Sequence, residues 1–192
     1  YEPHDDSNKS EGIMTIREAI TKSKNIPEVK LLQLQGIDNA VNFLGKIGIQ
    51  VDDVYKDLSL ALGTQTVTPL EMAAGYAMIA NGGVYITPTF YTKVVDQNGS
   101  TVIEAKQDKT RVMSEGNAYI LTSILTGPIK GTGGTATAYR NTLGSMAVAG
   151  KTSTSSSAND RWFCGFTPYY ATACWYGYDN NEASVGGSNT AA

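Results

Sequence analysis

The chain has 192 residues, 41% hydrophobic and 17% charged, which supports one buried core and excludes a fibrous or disordered chain. A net charge of -3, from 15 basic and 18 acidic residues with no Lys/Arg stripe, argues against nucleic acid as a partner. No apolar run reaches the ~20 residues of a membrane helix, and the polar start YEPHDDSNKS lacks the pattern of a signal peptide.

His4 is the only histidine and Cys164 and Cys174 the only cysteines, so neither a zinc site nor a Ser-His-Asp triad is expected, and no cofactor is implied. The two cysteines read as small buried side chains on paired strands.

In chain order, TIRE (Thr15 to Glu18) has capping-box spacing and opens a short helix to about Thr21. NIPEVKLLQLQG places Pro27 at a helix start and Gly36 past its end, and IDNAVNFLGKIG runs from an Asp38 cap to Gly48. In TPLEMAAGYAMIANGG, Thr68 caps, Pro69 takes the first helical position, Glu71 completes the box and Asn81-Gly82-Gly83 ends the helix. VYITPTFYTKVVDQNGSTVIEAK then reads as strands around an Asn98-Gly99 turn, and a helix capped by Ser114 runs to about Leu125. After the loop KGTGGTATA come SMAVAGKTST, DRWFCGFTP and YATACWYGYD, predicted to form an antiparallel meander. With TPYY as the hairpin loop, Phe166 faces Ala171 and Cys164 faces Ala173, which puts the two sulfurs on opposite faces, unable to bond.

Two short stretches combine lysine with hydroxyl or amide side chains: Ser23-Lys24-Asn25 between two helices, and Lys151-Thr152-Ser153-Thr154 behind an apolar strand. Alone, the first reads equally as a helix cap and the second as a solvated strand edge. Their surroundings are more specific. GIMTIREAITKSKNIPEVKLLQ, LALGTQTVTPLEMAAGYAMIANGGVYITP, GTGGTA and VAGKTST...DRWFCGFTPYYATACWYGYD resemble, in order, the transpeptidase domain of class A penicillin-binding proteins.

The resemblance implies an α+β fold of the penicilloyl-serine transferase (β-lactamase/transpeptidase-like) type, a helical cluster against an antiparallel sheet with a cleft between them. Residues 1–192 are expected to be the C-terminal part of one such domain, with 1–145 mostly helical around a β-hairpin insertion and 146–178 forming strands. The family's three motifs are Ser-x-x-Lys, a Ser-x-Asn type and Lys-Thr-Gly. No lysine here has a serine three residues before it, so the nucleophile is expected upstream of Tyr1, on an N-terminal fragment that binds alongside.

By resemblance, Ser23, Asn25 and Lys151 are catalytic: Ser23 relays protons near the leaving amine, Asn25 bonds the substrate peptide and Lys151 draws an anionic substrate end. Thr152, Ser153 and Thr154 are substrate-binding. The hydroxyls of Thr152 and Thr154 share a face toward a carboxylate, and the Thr154 N–H is an oxyanion donor. The family usually has glycine where Ser153 stands, so its hydroxymethyl is expected to crowd the back wall beside Lys151. The implied activity is D,D-transpeptidation of peptidoglycan stem peptides from D-Ala-D-Ala termini, with β-lactams as inhibitors and a role in cell-wall biogenesis and cell shape. The implied place is the outer face of the bacterial cytoplasmic membrane, through an anchor and a glycosyltransferase domain outside this chain. A β-lactamase, a D,D-carboxypeptidase or a non-catalytic peptidoglycan-binding module are the alternatives.

Overall fold

The computed structural model describes residues 3, 12–155 and 158–180. The chain begins with a string of short helices. α1 (Ile16–Lys22) is opened by Thr15, whose hydroxyl accepts the Glu18 N–H while the Glu18 carboxylate accepts the Thr15 N–H. α2 (Asn25–Gln35) follows after Lys24 and passes straight into α3 (Ile37–Lys46) through Gly36. Gly36 has φ of +88°, a left-handed turn that a side chain resists. This corrects the expected Asp38 cap. Gly36 occupies the cap position, no side chain bonds there, and Asp38 lies in the first turn, where its charge complements the helix dipole.

Two 3-10 turns, Asp53–Tyr55 and Leu58–Leu62, lead to α4 (Pro69–Ala80), which carries the Thr68/Glu71 capping box as expected. β1 (Val84–Ile86), β2 (Lys93–Val95) and β3 (Thr101–Glu104) come next, β2 and β3 closing on a turn in which the Asp96 carboxylate accepts the Asn98 and Ser100 N–H groups. β4 (Lys109–Arg111) then returns to pair with β1. α5 (Glu115–Leu125), capped by Ser114, continues into α6 (Gly127–Lys130), and the expected loop after it holds a 3-10 turn and α7 (Arg140–Leu143).

The principal sheet is an antiparallel meander of β5 (Ala149–Thr154), β6 (Asp160–Phe166) and β7 (Ala171–Gly177), with β6 central. Phe166 pairs with Ala171 and Cys164 with Ala173, as the even loop requires. Alternation sorts the sheet's two faces. Ala149 and Phe166 join Met78, Ile79 and Leu125 in the main core under α4 and α5, and Tyr76 tilts against Phe166 at a ring separation of 6.4 Å. On the other face Phe163 packs on Ile129, Ala136 and Val148.

Both cysteines are free, but only Cys164 is buried. The expectation of burial for Cys174 is corrected: it is exposed at the middle of β7, where it pairs with Phe163 and alternation turns it to the face opposite Ala173.

Candidate active site

The helical cluster and the sheet meet at two residues far apart in sequence. Ser23 ends α1 in the left-handed conformation (φ 55°, ψ 55°), its N–H turned back onto the carbonyls of Ala19 and Ile20. For a residue with a Cβ this geometry costs on the order of 1 kcal/mol, and such strain concentrates at working sites. Its effect is to aim the side chain at the sheet, where the Lys151 Nζ donates to Ser23 Oγ at 2.6 Å and to the Thr152 carbonyl at 2.9 Å. Neither Ser23 nor Asn25 is the N-cap of α2, since Lys24 holds that position with no side-chain capping bond, so capping of α2 does not account for this pair. Asn25 is the half-buried first residue of α2.

The strand places Lys151 by a packing device one residue earlier. Gly150 pairs with Gly165, and a Cβ on Gly150 would stand 2.9 Å from the Phe163 ring and 2.8 Å from the Cys164 carbonyl. The two glycines let the ring lie flat on the backbone, which holds β5 against β6 just before the lysine. Burial pulls the Lys151 pKa below its ordinary value, opposed by the Glu28 carboxylate, which lines the same cavity from the first turn of α2. Glu28 and Tyr76 were missed from sequence, because one acidic residue in a helix start and one tyrosine in a core helix carry no distinguishing pattern. Tyr76 lines the same recess as Lys151, and burial raises its pKa far enough to keep it protonated. Cys164, the cross-strand partner of Lys151, is pushed up to about 12, chiefly by burial, and stays a neutral thiol.

Thr152 and Thr154 face away from Lys151, toward Phe163 and Arg161. The Thr152 hydroxyl bonds that of Thr135 at 2.5 Å. With Thr135 donating, the Thr152 proton remains available to a carboxylate. Thr135 sits in GTGGTA, a stretch that carried the family resemblance without a role for any one residue. Ser153 is exposed, on the Lys151 face, and lines a recess of about 220 Å³ together with Tyr76, Trp162 and Cys164. Thr154 is exposed at the end of β5, whose outer edge pairs with no described strand. The Ser155 hydroxyl, next in the chain, accepts the Asp160 N–H; Ser156 and Ser157 lie outside the described residues.

A third feature opens beside the pair. An apolar groove of about 610 Å³ runs between α1, α2, α3 and α5, walled by side chains such as Ile20, Leu31, Phe43 and Leu121, with Lys151 reaching into it. A strained serine, a buried amine bonded to it, a hydroxyl-lined free strand edge and an adjoining apolar groove are parts suited to acyl transfer to a hydroxyl. Among the described residues, no three His, Cys, Asp or Glu side chains come together as a metal site.

The family model of the penicillin-binding protein transpeptidase domain matches residues 1–192. Penicillin-binding protein 1A of Clostridium botulinum is 38% identical over 197 residues, covering 100% of this chain and 24% of its own length. Penicillin-binding protein 1F of Bacillus subtilis is 32% identical, covering 95% of this chain and 26% of its own. The chain thus spans about a quarter of the length of the curated relatives it matches. Among solved structures, penicillin-binding protein 1A of Haemophilus influenzae superposes with a TM-score of 0.85 at 27% identity, over 97% of this chain and 33% of that one. Penicillin-binding protein A of Mycobacterium tuberculosis, solved as an imipenem acyl-enzyme complex, gives 0.74 at 22% identity over 93% of this chain and 46% of that one, a likeness of fold. The chain belongs to the penicillin-binding protein transpeptidase domain family, with the α+β fold of that family.

Proposed function

We propose that these residues form the larger share of the active site of a serine D,D-transpeptidase that cross-links peptidoglycan stem peptides from D-Ala-D-Ala termini and is acylated by β-lactams. The observation that carries the reading is the 2.6 Å bond between Lys151 and Ser23, which joins the two motifs across 128 residues of sequence separation.

Each step of the reaction has a residue suited to it. The attacking serine comes from outside this chain, on a segment that fills the apolar groove; a helix laid there would bring its side chains against the Lys151 ammonium. Because Lys151 donates to Ser23 Oγ, the Ser23 hydroxyl proton is directed away from the lysine. It passes to the terminal D-Ala nitrogen as the C–N bond breaks, and the proton that the attacking serine loses on bonding to the carbonyl carbon restores the Ser23 hydroxyl, while the acyl group stays on the attacking serine. Asn25 holds the substrate amide, Thr152 and Thr154 grip the terminal carboxylate, and the Thr154 N–H receives the developing oxyanion. The substrate backbone adds as a strand along the free edge of β5. Ser153 narrows the wall on the Lys151 side.

Residues 1–145 and 146–178 serve as the helical and strand portions of one domain completed by an N-terminal fragment. The intact protein works at the outer face of the cytoplasmic membrane, anchored through a segment beyond these residues. Among the described residues no helix is long and apolar enough to cross a membrane.

The test is acylation of the intact protein by a fluorescent penicillin. Substituting Lys151 or Ser23 should slow labelling at least 100-fold. Labelling at the unchanged rate in both variants would refute the assignment.

A further inference from the structure

Both acceptors that the Lys151 ammonium reaches, Ser23 Oγ and the Thr152 carbonyl, are neutral. A buried cation held by neutral acceptors alone loses hydration without gaining a counter-charge, which favours release of its proton. The two spaces that Lys151 lines are walled mainly by apolar side chains, among them Ile20 of α1, Phe43 of α3, Met72 of α4 and Leu121 of α5. Among the described residues that line them, Glu28 is the only carboxylate.

The phase of α2 brings Glu28 to the site. It follows Asn25 by three residues, close to one turn, so the two share a side of the helix. It is half-buried and lies in the first turn, where a negative charge complements the helix dipole. No other group around Lys151 supplies that charge. α1 offers the Ser23 hydroxyl, and the side chains that α3 and α5 contribute are apolar. Tyr76 on α4 and Cys164 on β6 stay neutral, because burial raises the pKa of both. The cations nearest to Glu28 in sequence before it, Lys22 and Lys24, line neither space. The burial that lowers the Lys151 pKa is opposed by Glu28 alone.

We propose that Glu28 is a positioning residue, acting through Lys151, which it holds in the ammonium form when the groove is filled. The inference rests on the proposed acyl transfer and adds to it a residue outside the family's three motifs. A segment laid in the groove displaces water from around both side chains. That deepens the desolvation of Lys151 and, in the lower dielectric, strengthens the attraction from Glu28. Without the carboxylate, a larger share of the lysine would enter the filled site as the neutral amine, which directs the Ser23 proton less firmly and draws an anionic substrate end no longer.

The experiment times acylation of the intact protein by a fluorescent penicillin across alkaline pH. The rate should fall as Lys151 loses its proton. Glu28→Gln removes the charge at nearly constant size and should bring the midpoint of that fall about one pH unit lower. Lost packing would instead lower the rate by one factor at every pH. Glu28→Asp keeps the charge and should keep most of the midpoint. Glu28→Ala should match the glutamine variant, and decides the matter if that variant does not fold. In Lys151→Arg, whose guanidinium does not titrate in this range, Glu28→Gln should move no midpoint. An unmoved midpoint in the charge-deleting variants, or a shift that persists beside Lys151→Arg, would overturn the role of Glu28. If Lys151→Met is itself labelled at the unchanged rate, the proposed function falls and this inference with it; an unmoved midpoint beside a slow Lys151→Met removes the role of Glu28 alone.

Discussion

Replacing Ser23 separates strain from chemistry, because its backbone conformation and its hydroxyl are independently removable. Ser23→Ala deletes the acceptor of the 2.6 Å bond from Lys151 but keeps a Cβ at φ 55°. A hydrogen bond from a charged donor contributes roughly 1.5–3 kcal/mol when its loss leaves the donor enclosed, so about 2 kcal/mol of destabilisation is expected. Ser23→Gly loses the same bond but relieves left-handed strain on the order of 1–2 kcal/mol, less a few tenths to 1 kcal/mol for glycine's freedom in the unfolded chain. The glycine variant should therefore be more stable than the alanine variant by about 1 kcal/mol. Both should be acylated by fluorescent penicillin at least 100-fold more slowly than the unsubstituted protein. Urea unfolding of the intact protein gives the first quantity and stopped-time labelling the second. An alanine variant as stable as the glycine variant would refute the strained geometry, and wild-type labelling of either would refute the proton role of the hydroxyl.

Gly150→Ala should cost about 1–3 kcal/mol by overpacking against the Phe163 ring and the Cys164 carbonyl; a shift of the urea midpoint within error of zero would refute the close packing there. Iodoacetamide at pH 8 should modify the exposed Cys174 and spare the buried Cys164, whose thiol burial pushes up to about 12; comparable labelling of both by mass analysis would contradict the strand register. Burial sets the folded Lys151 pKa below the 10.5 of a free lysine, so between those two values the unfolded chain binds more protons and stability rises with pH. Lys151→Met should abolish that alkaline gain, and identical stability-versus-pH curves for the two proteins would show that the amine is not desolvated.

What could be read from the sequence was what depends on neighbours in the chain. Both capping boxes, Thr15 with Glu18 and Thr68 with Glu71, follow from spacing alone. The β6–β7 register follows from an even loop, and with it the separation of Cys164 from Cys174. What stayed hidden depends on distant partners. β4, Lys-Thr-Arg, has no apolar alternation and is a strand only because β1 lies beside it. The exposure of Cys174 depends on what covers the sheet. Ser23, Lys151 and their neighbours were found through the family's motifs, but the left-handed turn of Ser23, the bond between the Thr135 and Thr152 hydroxyls and the Glu28 carboxylate in the same cavity as Lys151 needed the fold.

The proposed function requires an acylation site that this chain builds around a serine it does not itself supply. Mass mapping of the intact protein after labelling with a fluorescent penicillin tests it most directly. One adduct per molecule is expected, on a serine outside these 192 residues, and no adduct on the 192-residue chain incubated alone. A stoichiometric adduct on Ser23, or on any other serine of this chain, would contradict it.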